Sequence, residues 1–538
     1  MANCLKEIAT SLPSGPFLPL LNMLRIPGKS LGYHEDISLT PWQAILASVI
    51  VLLGLKVATI LYTAFYNVFL HPLRRFPGPV TWIAAPWMKS ISHIRGQQDH
   101  QIVKLHQKLG HIIRVGPDTL SFTEMSAWRD IYGTGHAELP KHIYKGSGME
   151  ERPNIITAHS RDHHRFRKAM TPALTPEAIT HEEALIKGYV DMLIEHLHKF
   201  AKSSDPYVNV SQWYTMTTFD IFGDLCYGES FNSLATGKQH LWLKSMSSMK
   251  VLVPLLVFPY ISWLLVWWLL SPEQQRSLSD HQKRSYELTM KRIANRDTHP
   301  RHDFMTFMLR NRGEDQGVTD HELASNSDIV ISAGSETTST ALTGITFFLC
   351  SNPDAMARCA KEVREAFKSD DEITFKATAE LPFMLACIEE TLRMYPPVPT
   401  SLIRRTLPGR PTLIAGELIP ENTIVGVHHL ATYRSERNFF DAKAFRPERW
   451  LAETRNDPKS PFKDDRLDAV RPFSYGPRNC IGRNLAYHEM RLILAKLLWH
   501  FDLKLKPGYE DWGFKQRTFQ LWEKPKLVVE FKERQFQV

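Results

Sequence analysis

One short stretch near the C-terminal end of the chain carries residue types that suit a metal-centred cofactor. Residues 473–482 read FSYGPRNCIG. Gly476 and Gly482 let the backbone approach a bulky group closely, and Phe473 supplies an aromatic wall. Arg478 places a fixed cation two residues before Cys480, whose sulfur binds metals as the thiolate. The pattern predicts a socket for a flat, anionic cofactor with a metal at its centre. Its alternative, for this stretch alone, is a glycine turn beside a buried core cysteine.

A second group of chemically useful residues occupies positions 333–338, AGSETT. The small residues Ala333 and Gly334 would let a flat ligand and dioxygen lie against a helix. A hydroxyl at Thr337 can bond a backbone carbonyl one turn back and open a local gap. With Glu336 beside it, the pair is suited to relaying protons. The alternative is that the hydroxyls fill a helix interface and that Glu336 lies on a solvated face.

These two groups need helices to hold them. An amphipathic helix is predicted from Asn484 to Trp499, and its positive N-terminal end would favour the thiolate of Cys480 over the thiol. A longer helix is predicted to begin at a capping box, residues 319–322, and to end where Asn352-Pro353 starts the next helix. Residues 110–122, rich in β-branched side chains around a Gly-Pro pair, predict two short strands.

Both motifs resemble those of the cytochrome P-450 family, the haem-thiolate monooxygenases. Residues 473–482 match its F-x-x-G-x-R-x-C-x-G signature at every fixed position, and residues 333–338 match its A/G-G-x-D/E-T-T/S motif. The resemblance extends from about Phe76 to the end of the chain. It implies a mainly α fold with small β-sheets, haem b as the cofactor, Cys480 as the axial iron ligand, and proton delivery by Glu336 and Thr337.

The resemblance also implies which cations meet the haem propionates. His163 and Arg167 lie four residues apart, on one face of a predicted basic helix turn, where a solvated charged surface is the alternative. In the family, an aromatic residue or His followed four positions later by Arg contacts the propionates. Arg404 aligns with a strand arginine of the same role, although the neighbouring Arg405 leaves two choices.

Three further residues are expected to stabilise the fold. Glu390 and Arg393 stand three apart on one predicted helical face, and Arg449 follows in the segment FRPERW. Together they resemble the buried Glu-Arg-Arg network of the family. Such a network fixes the structure around the haem, because buried charges are costly unless they are fully hydrogen-bonded.

Composition excludes several classes of protein. The chain has 538 residues, 43% hydrophobic and 23% charged, which is the balance of a globular protein. Its six cysteines are scattered, with no pattern for zinc or for a disulfide framework. The formal charge of +8 is spread along the chain, so nucleic-acid binding is poorly supported, whereas an acidic redox partner or an anionic membrane surface is compatible.

The N-terminal part contains a predicted membrane segment. Residues Trp42 to Tyr62 are long and apolar enough to cross a bilayer, although Lys56 interrupts them. We therefore divide the chain into an N-terminal segment, expected in the lumen, a transmembrane anchor, a basic proline-rich hinge and a haem-thiolate catalytic domain. Their ranges are 1–40, 41–65, 66–79 and 80–538. The hinge resembles that of endoplasmic-reticulum members from filamentous fungi, which implies a catalytic domain facing the cytosol.

A second apolar run, Val251 to Leu270, contains Pro254 and Pro259. The prolines break a spanning helix, and a span here would separate His163 from Cys480 across the membrane. We expect a surface that dips into the lipid, with a buried core helix as the alternative.

These features predict a membrane-bound monooxygenase that oxidises a hydrophobic small molecule, in secondary metabolism, with electrons from NADPH through a separate flavoprotein reductase. Three alternatives use the same fold: a haem-thiolate isomerase or dehydratase, a xenobiotic-detoxifying monooxygenase, and a haem-binding membrane protein without activity. The intact Glu336-Thr337 pair argues against the first. Terpenoid, polyketide and xenobiotic substrates all remain compatible with the sequence.

Overall fold

The structure is a computed structural model, and it describes residues 40–142, 153–240, 242–243, 271–295, 303–310, 317–513 and 515–535. The chain divides into two units, Met1–Tyr62 and Thr63–Val538. The predicted run Val251 to Leu270 lies outside the described residues.

The described part of the chain is mainly helical, as predicted. Its α-helices are α1 Pro41–Phe65, α2 Val80–Ala84, α3 Pro86–Ile94, α4 Gln98–Leu109, α5 Ser126–Tyr132, α6 Ser160–Met170, α7 Pro176–His181, α8 Glu183–Ala201, α9 Val210–Tyr227, α10 Ser233–Thr236, α11 Pro272–Ala294, α12 Phe304–Leu309, α13 Asp320–Ser351, α14 Pro353–Ala366, α15 Phe375–Thr378, α16 Pro382–Met394, α17 His429–Tyr433, α18 Ala452–Asn456 and α19 Arg483–His500.

The strands are short and form small sheets. They are β1 Ile112–Gly116, β2 Thr119–Phe122, β3 Tyr207–Asn209, β4 Arg404–Arg405, β5 Thr412–Ile414, β6 Glu417–Ile419, β7 Ile424–Val427, β8 Phe501–Leu505, β9 Thr518–Phe519, β10 Leu521–Trp522 and β11 Val528–Glu533. The largest described sheet has the order β1-β2-β7-β4, and β2 runs parallel to β7. Strands β1 and β2 are the antiparallel pair that the sequence predicts within residues 110–122.

Helix α13 runs through the core of the protein. The Thr319 hydroxyl accepts a hydrogen bond from the Glu322 N–H, and the Glu322 carboxylate accepts one from the Thr319 N–H. The predicted capping box is therefore confirmed. The helix packs against α9, where the Thr218 hydroxyl donates to the Ser335 carbonyl over 2.9 Å. A long helix with its central residues buried on several sides is a rigid support for a site.

Helix α19 follows the cysteine stretch directly and confirms the predicted helix. It spans Arg483–His500, and its second half is almost entirely buried. It packs against α13, α14 and α8. The cysteine stretch is therefore attached to one of the most enclosed helices of the described chain.

A fully buried ionic network lies beside these helices. The Arg393 guanidinium donates two hydrogen bonds to the Glu390 carboxylate, at 2.8 and 2.7 Å, and Arg449 donates a third at 3.2 Å. Arg449 also pairs with Asp465. Trp450 and the backbone N–H of Arg446 complete the shell around Glu390, both over 2.9 Å. Two arginines thus face two carboxylates, and the network is balanced in charge.

Among the residues that the structure describes, one helix is long and apolar enough to cross a membrane, Pro41–Leu70, and none of its apolar window is buried. It contains the predicted anchor. Exposure of this many large apolar side chains to water would be costly, so the helix suits a lipid environment.

We predict that Glu390→Gln destabilises the folded holoenzyme by about 3–5 kcal/mol, because a neutral amide leaves a positive charge buried without its counterion. Urea unfolding followed by tryptophan fluorescence measures the change. Asp511→Asn is the control, since it removes one charge of an ion pair whose side chains are 69–78% exposed. Equal stability of the native chain and the Glu390 variant would contradict the prediction.

Candidate functional site

The cysteine stretch forms a tight loop that has little room for other residues. The Cys480 N–H donates to the Phe473 carbonyl over 2.8 Å and closes the loop. Gly476 has a φ of +74°, and a β-carbon added there would lie 1.8 Å from the Tyr132 carbonyl oxygen. Only glycine fits both requirements. Phe473 packs against Tyr487 of α19, with ring centroids 5.2 Å apart.

Cys480 is accessible to solvent as a residue, although protein surrounds its thiol on most sides. The residue is exposed, yet burial raises the pKa of its thiol. The Gly482 N–H and the charges of Arg167 and Arg483 oppose this rise and do not overcome it. The Gly482 N–H at the start of α19 thus acts in the predicted direction, but without a metal the effect of burial is larger. A bound metal cation would supply the missing stabilisation, since coordinated thiols are deprotonated.

Arg167 fixes the residue that precedes the cysteine. Its guanidinium donates to the Asn479 carbonyl over 2.8 Å and to the Asn479 side-chain oxygen over 2.6 Å. His163, one turn earlier on α6, is buried. Burial and the nearby cations Arg478, Lys141 and Arg167 lower the pKa of His163 to about 3. This histidine is therefore neutral near pH 7.

A surplus of positive charge lies next to this loop. Arg478 pairs with Glu138 and donates to the Ala158 carbonyl over 2.9 Å. Arg404 is 4% exposed. Burial lowers the pKa of Arg404, with the charge of Arg478 contributing. Burial and the charges of Arg404 and Arg478 lower the pKa of Lys141 to about 7. We call Arg404, Arg478 and Lys141 the cation cluster. Among the residues that the structure describes, Glu138 is the carboxylate that lies with them.

The two neighbouring arginines of β4 point in different directions, as successive strand residues do. Arg404 lies over the Tyr132 ring, 5.5 Å from its centroid, within the cation cluster. Arg405 turns away, donates to the Asn422 carbonyl over 2.8 Å and contacts His142 over 3.2 Å. Of the two arginines that the sequence left as alternatives, Arg404 is therefore the one that lies in the cation cluster.

Helix α13 holds the second motif. The Thr337 hydroxyl donates to the Ala333 carbonyl over 2.7 Å, one turn back as predicted. A β-carbon added at Gly334 would lie 2.2 Å from the Phe222 ring, so this glycine admits a side chain of α9. Glu336 is 8% exposed and pairs with Lys524 over 3.2 Å. The alternative that placed Glu336 on a solvated face is wrong.

Sequence reasoning missed several contacts of the site. Lys141 and Glu138 stand in a segment without a recognisable motif, and Lys524 lies nearly 190 positions after its partner Glu336. Asn479 sits inside the cysteine motif at a variable position. Adjacency to Cys480 was the signal that could have identified Asn479, and the sequence holds no such signal for the others.

The side chains around Cys480 suit a metal ion whose other ligands come from a cofactor. Within the described ranges, no group of three or more His, Cys, Asp or Glu side chains is arranged to hold a metal ion. A single thiolate holds iron firmly when a macrocycle supplies the other ligands. The cation cluster beside Cys480 suits the carboxylates of such a macrocycle. Fold and site together define a mainly helical protein that holds an anionic metal macrocycle through one cysteine.

The comparisons with known proteins agree. The profile of the family Cytochrome P-450 matches residues 77–531, and the chain belongs to this family. It is 42% identical over 488 residues to trichothecene C-4 hydroxylase of Trichoderma arundinaceum, covering 90% of this chain and 96% of that protein. It is 36% identical to trichothecene C-15 hydroxylase of Fusarium sporotrichioides, covering 88% and 96%. It is 35% identical to averantin hydroxylase of Dothistroma septosporum, covering 91% and 92%.

Family and relatives establish the chemistry. The protein is a monooxygenase of the haem-thiolate type, similar to fungal enzymes of secondary metabolism. The predictions of fold, family and reaction class from sequence are confirmed. The individual site residues stay predictions, since no comparison tests them.

We predict that Arg404→Met weakens haem retention by roughly ten- to a hundredfold, the value of one charge-assisted contact. Transfer of haem to an excess of apomyoglobin measures it. Arg405→Met is the matched control and should retain haem like the native protein, because this side chain faces Asn422 and His142. Equal loss from both variants would refute the assignment of Arg404 to the cofactor.

Proposed function

We propose that this enzyme hydroxylates a hydrophobic small molecule of secondary metabolism, using haem b held by Cys480. The observation that carries the proposal is the exposed residue Cys480 beside a cation cluster with a surplus of positive charge. Bound haem supplies the activation of dioxygen for attack on a substrate C–H bond. The protein residues bind and orient the cofactor and control protons.

Several residues are proposed to hold the haem. Cys480 ligates the iron, while Phe473, Gly476 and Gly482 shape the loop around it. Arg404 and Arg478 bind the propionates as charge-assisted partners. His163, being neutral, serves them as a hydrogen-bond donor.

Arg167 is proposed to act on the haem through Asn479 rather than by direct contact, because the structure commits both of its terminal nitrogens to that residue. Lys141, with its pKa lowered to about 7, is proposed to regain its full charge when the propionates enter the cation cluster. Gly334 is proposed to keep α13 close to α9, which positions Thr337.

Thr337 and Glu336 are proposed to manage protons. The Thr337 hydroxyl is a donor that can rotate from the Ala333 carbonyl toward a group beside the helix. Glu336 is its neighbour in sequence and holds a charge inside the protein. Together they form an alcohol and an acid on one rigid helix, as proton delivery requires.

The relatives guide the choice of substrate. Two of the three named relatives are hydroxylases of trichothecenes, at C-4 and at C-15, and the third is named for averantin. The reaction is common to these names, while the substrate and position differ. Hydroxylation is therefore the reaction we assign, and a trichothecene-type scaffold is the first substrate class to test.

The apolar helix and the net charge of the chain support a proposal for its cellular location and its redox partner. We propose that Pro41–Phe65 anchors it in the endoplasmic-reticulum membrane, with residues 1–40 in the lumen, residues 66–79 as a hinge and the catalytic domain, 80–538, facing the cytosol. Electrons come from NADPH through a separate flavoprotein reductase. The net charge of +8 suits an acidic partner of this kind.

The test is conversion in yeast microsomes that contain the full chain and a fungal reductase. We expect an NADPH-dependent hydroxylated product from a trichothecene scaffold that lacks one hydroxyl group, with one oxygen atom from isotopically labelled dioxygen. A product that forms in the absence of NADPH, or that contains no labelled oxygen, would refute hydroxylation. It would indicate the isomerase or dehydratase alternative.

We predict that Cys480→Ser abolishes the red-shifted Soret band of the reduced carbon monoxide complex, because a serine oxygen does not replace the thiolate. The absorbance difference spectrum measures it. Cys350→Ser is the control, since Cys350 lies on α13 away from the cysteine loop, and it should keep the band. A normal band in the Cys480 variant would refute the ligand assignment.

Thr337→Ala is predicted to lower the product formed per NADPH oxidised by about ten- to a thousandfold, with hydrogen peroxide rising in compensation. Electron entry does not need this hydroxyl, whereas productive proton delivery does. Thr337→Ser restores the hydroxyl and should recover most of the ratio. An unchanged ratio in the alanine variant would show that protons reach the site by another path.

A further inference from the structure

A lysine from the C-terminal part of the chain reaches the acid of the proposed proton pair. Lys524 lies between β10 and β11, and its side chain is 7% exposed. Its Nζ donates to the Ser339 hydroxyl over 2.9 Å and lies 3.2 Å from Oε1 of Glu336. The Glu336 side chain is 10% exposed, so both charges of this pair are almost removed from solvent.

The segment that carries Lys524 is fixed on both sides. The indole N–H of Trp522 donates to the Pro396 carbonyl over 2.7 Å, and the Trp522 ring stacks on Tyr395 with centroids 4.5 Å apart. After Lys524, the Pro525 carbonyl accepts a hydrogen bond from the Trp512 indole over 3.1 Å. Lys524 is thus presented to α13 by a rigid support, which limits the loss of side-chain entropy on pairing.

Other polar groups around the pair do not replace the lysine. The Tyr395 hydroxyl donates to the Gln516 side-chain oxygen over 2.5 Å. Burial and the negative charge of Glu336 raise the pKa of Tyr395 well above its ordinary value. The Thr215 hydroxyl donates to Ser339 over 3.3 Å. Tyrosine and threonine are neutral here, whereas Lys524 places a cation against Glu336.

We propose that Lys524 is a positioning residue for proton delivery, which holds Glu336 ionised and oriented on α13. Burial disfavours a lone carboxylate, and an adjacent ammonium group reverses that preference. The ionised carboxylate accepts a proton from a water that is itself reprotonated by solvent, and a carboxyl O–H bond forms. That O–H bond breaks when the proton passes on toward Thr337, which returns Glu336 to its ionised form. The C-terminal strands thereby control a step on a distant helix. This inference rests on the proposed roles of Glu336 and Thr337.

The first test compares Lys524→Met, Lys524→Arg and Lys526→Met in the full-length holoenzyme with its reductase. Lys526 is exposed and two residues away, so its variant controls for the loss of one positive charge. We expect Lys524→Met to lower product per NADPH oxidised by about tenfold and to raise peroxide, a smaller loss than removal of a proton donor itself. Lys524→Arg should recover at least half of the ratio, and Lys526→Met should match the native enzyme.

The second test needs no turnover. Urea unfolding of the holoenzyme is measured for Lys524→Met, Glu336→Gln and the double variant. With Glu336 present, Lys524→Met should raise the unfolding equilibrium constant on the order of a hundredfold, and in the Glu336→Gln background by less than about threefold.

Equal effects of Lys524→Met in both backgrounds would overturn the proposal, because the lysine would then act by packing alone. A normal product ratio in Lys524→Met would overturn it as well. Absence of any hydroxylation by the native enzyme would instead refute the proposed function. The unfolding cycle would still decide whether Lys524 stabilises the charged form of Glu336.

Discussion

Buried charge is the constraint on which this structure depends. Among the charged side chains that are enclosed in the described part of the chain, three groups contain residues of the motifs or of the cysteine loop, and they differ in their balance. Glu390 and Asp465 neutralise Arg393 and Arg449, and Lys524 neutralises Glu336. The cation cluster has Glu138 as its counterion and keeps a surplus of positive charge. Balanced groups stabilise the protein as it stands, whereas an unbalanced group needs an anion from outside.

The surplus positive charge of the cation cluster lies next to the proposed metal ligand, Cys480. Arg478 belongs to the same loop as Cys480, and Arg167 holds Asn479 between them. A metal macrocycle with carboxylates would bring a cation to the sulfur and anions to the cation cluster at once. The metal cation would stabilise the thiolate of Cys480, whose thiol has a raised pKa in the protein alone. The carboxylates would stabilise the charged form of Lys141, whose pKa is lowered. Cofactor binding and folding are therefore expected to support each other.

The sequence predicted the features that depend on local pattern. The capping box of α13, the extent of α19 and the strand pair β1-β2 follow from residues close together in the chain, and each is present. It did not predict Lys524 or Lys141, because their partners lie far away in sequence and no spacing rule connects them. The raised pKa of the Cys480 thiol was not predicted, for a related reason. Helix dipole and neighbouring cations are visible in sequence, but the burial that outweighs them arises only when distant segments enclose the loop. Gly334 shows the same limit, since Phe222 occupies the space that its missing side chain leaves.

The C-terminal segment, residues 516–524, contacts two regions that carry separate sequence motifs: the end of α16 and the middle of α13. Trp522 stacks on Tyr395, which follows the helix of the Glu390 network, and Lys524 reaches α13. Gln516, just before these strands, accepts the Tyr395 hydroxyl hydrogen bond. One short stretch thus contacts both Tyr395, at the end of the helix that carries Glu390 and Arg393, and the acid proposed to handle protons. Since its aromatic anchors are buried, a displacement of this stretch would move Lys524 relative to Glu336. The proposed proton control would therefore depend on the packing of a segment that carries no recognised catalytic motif.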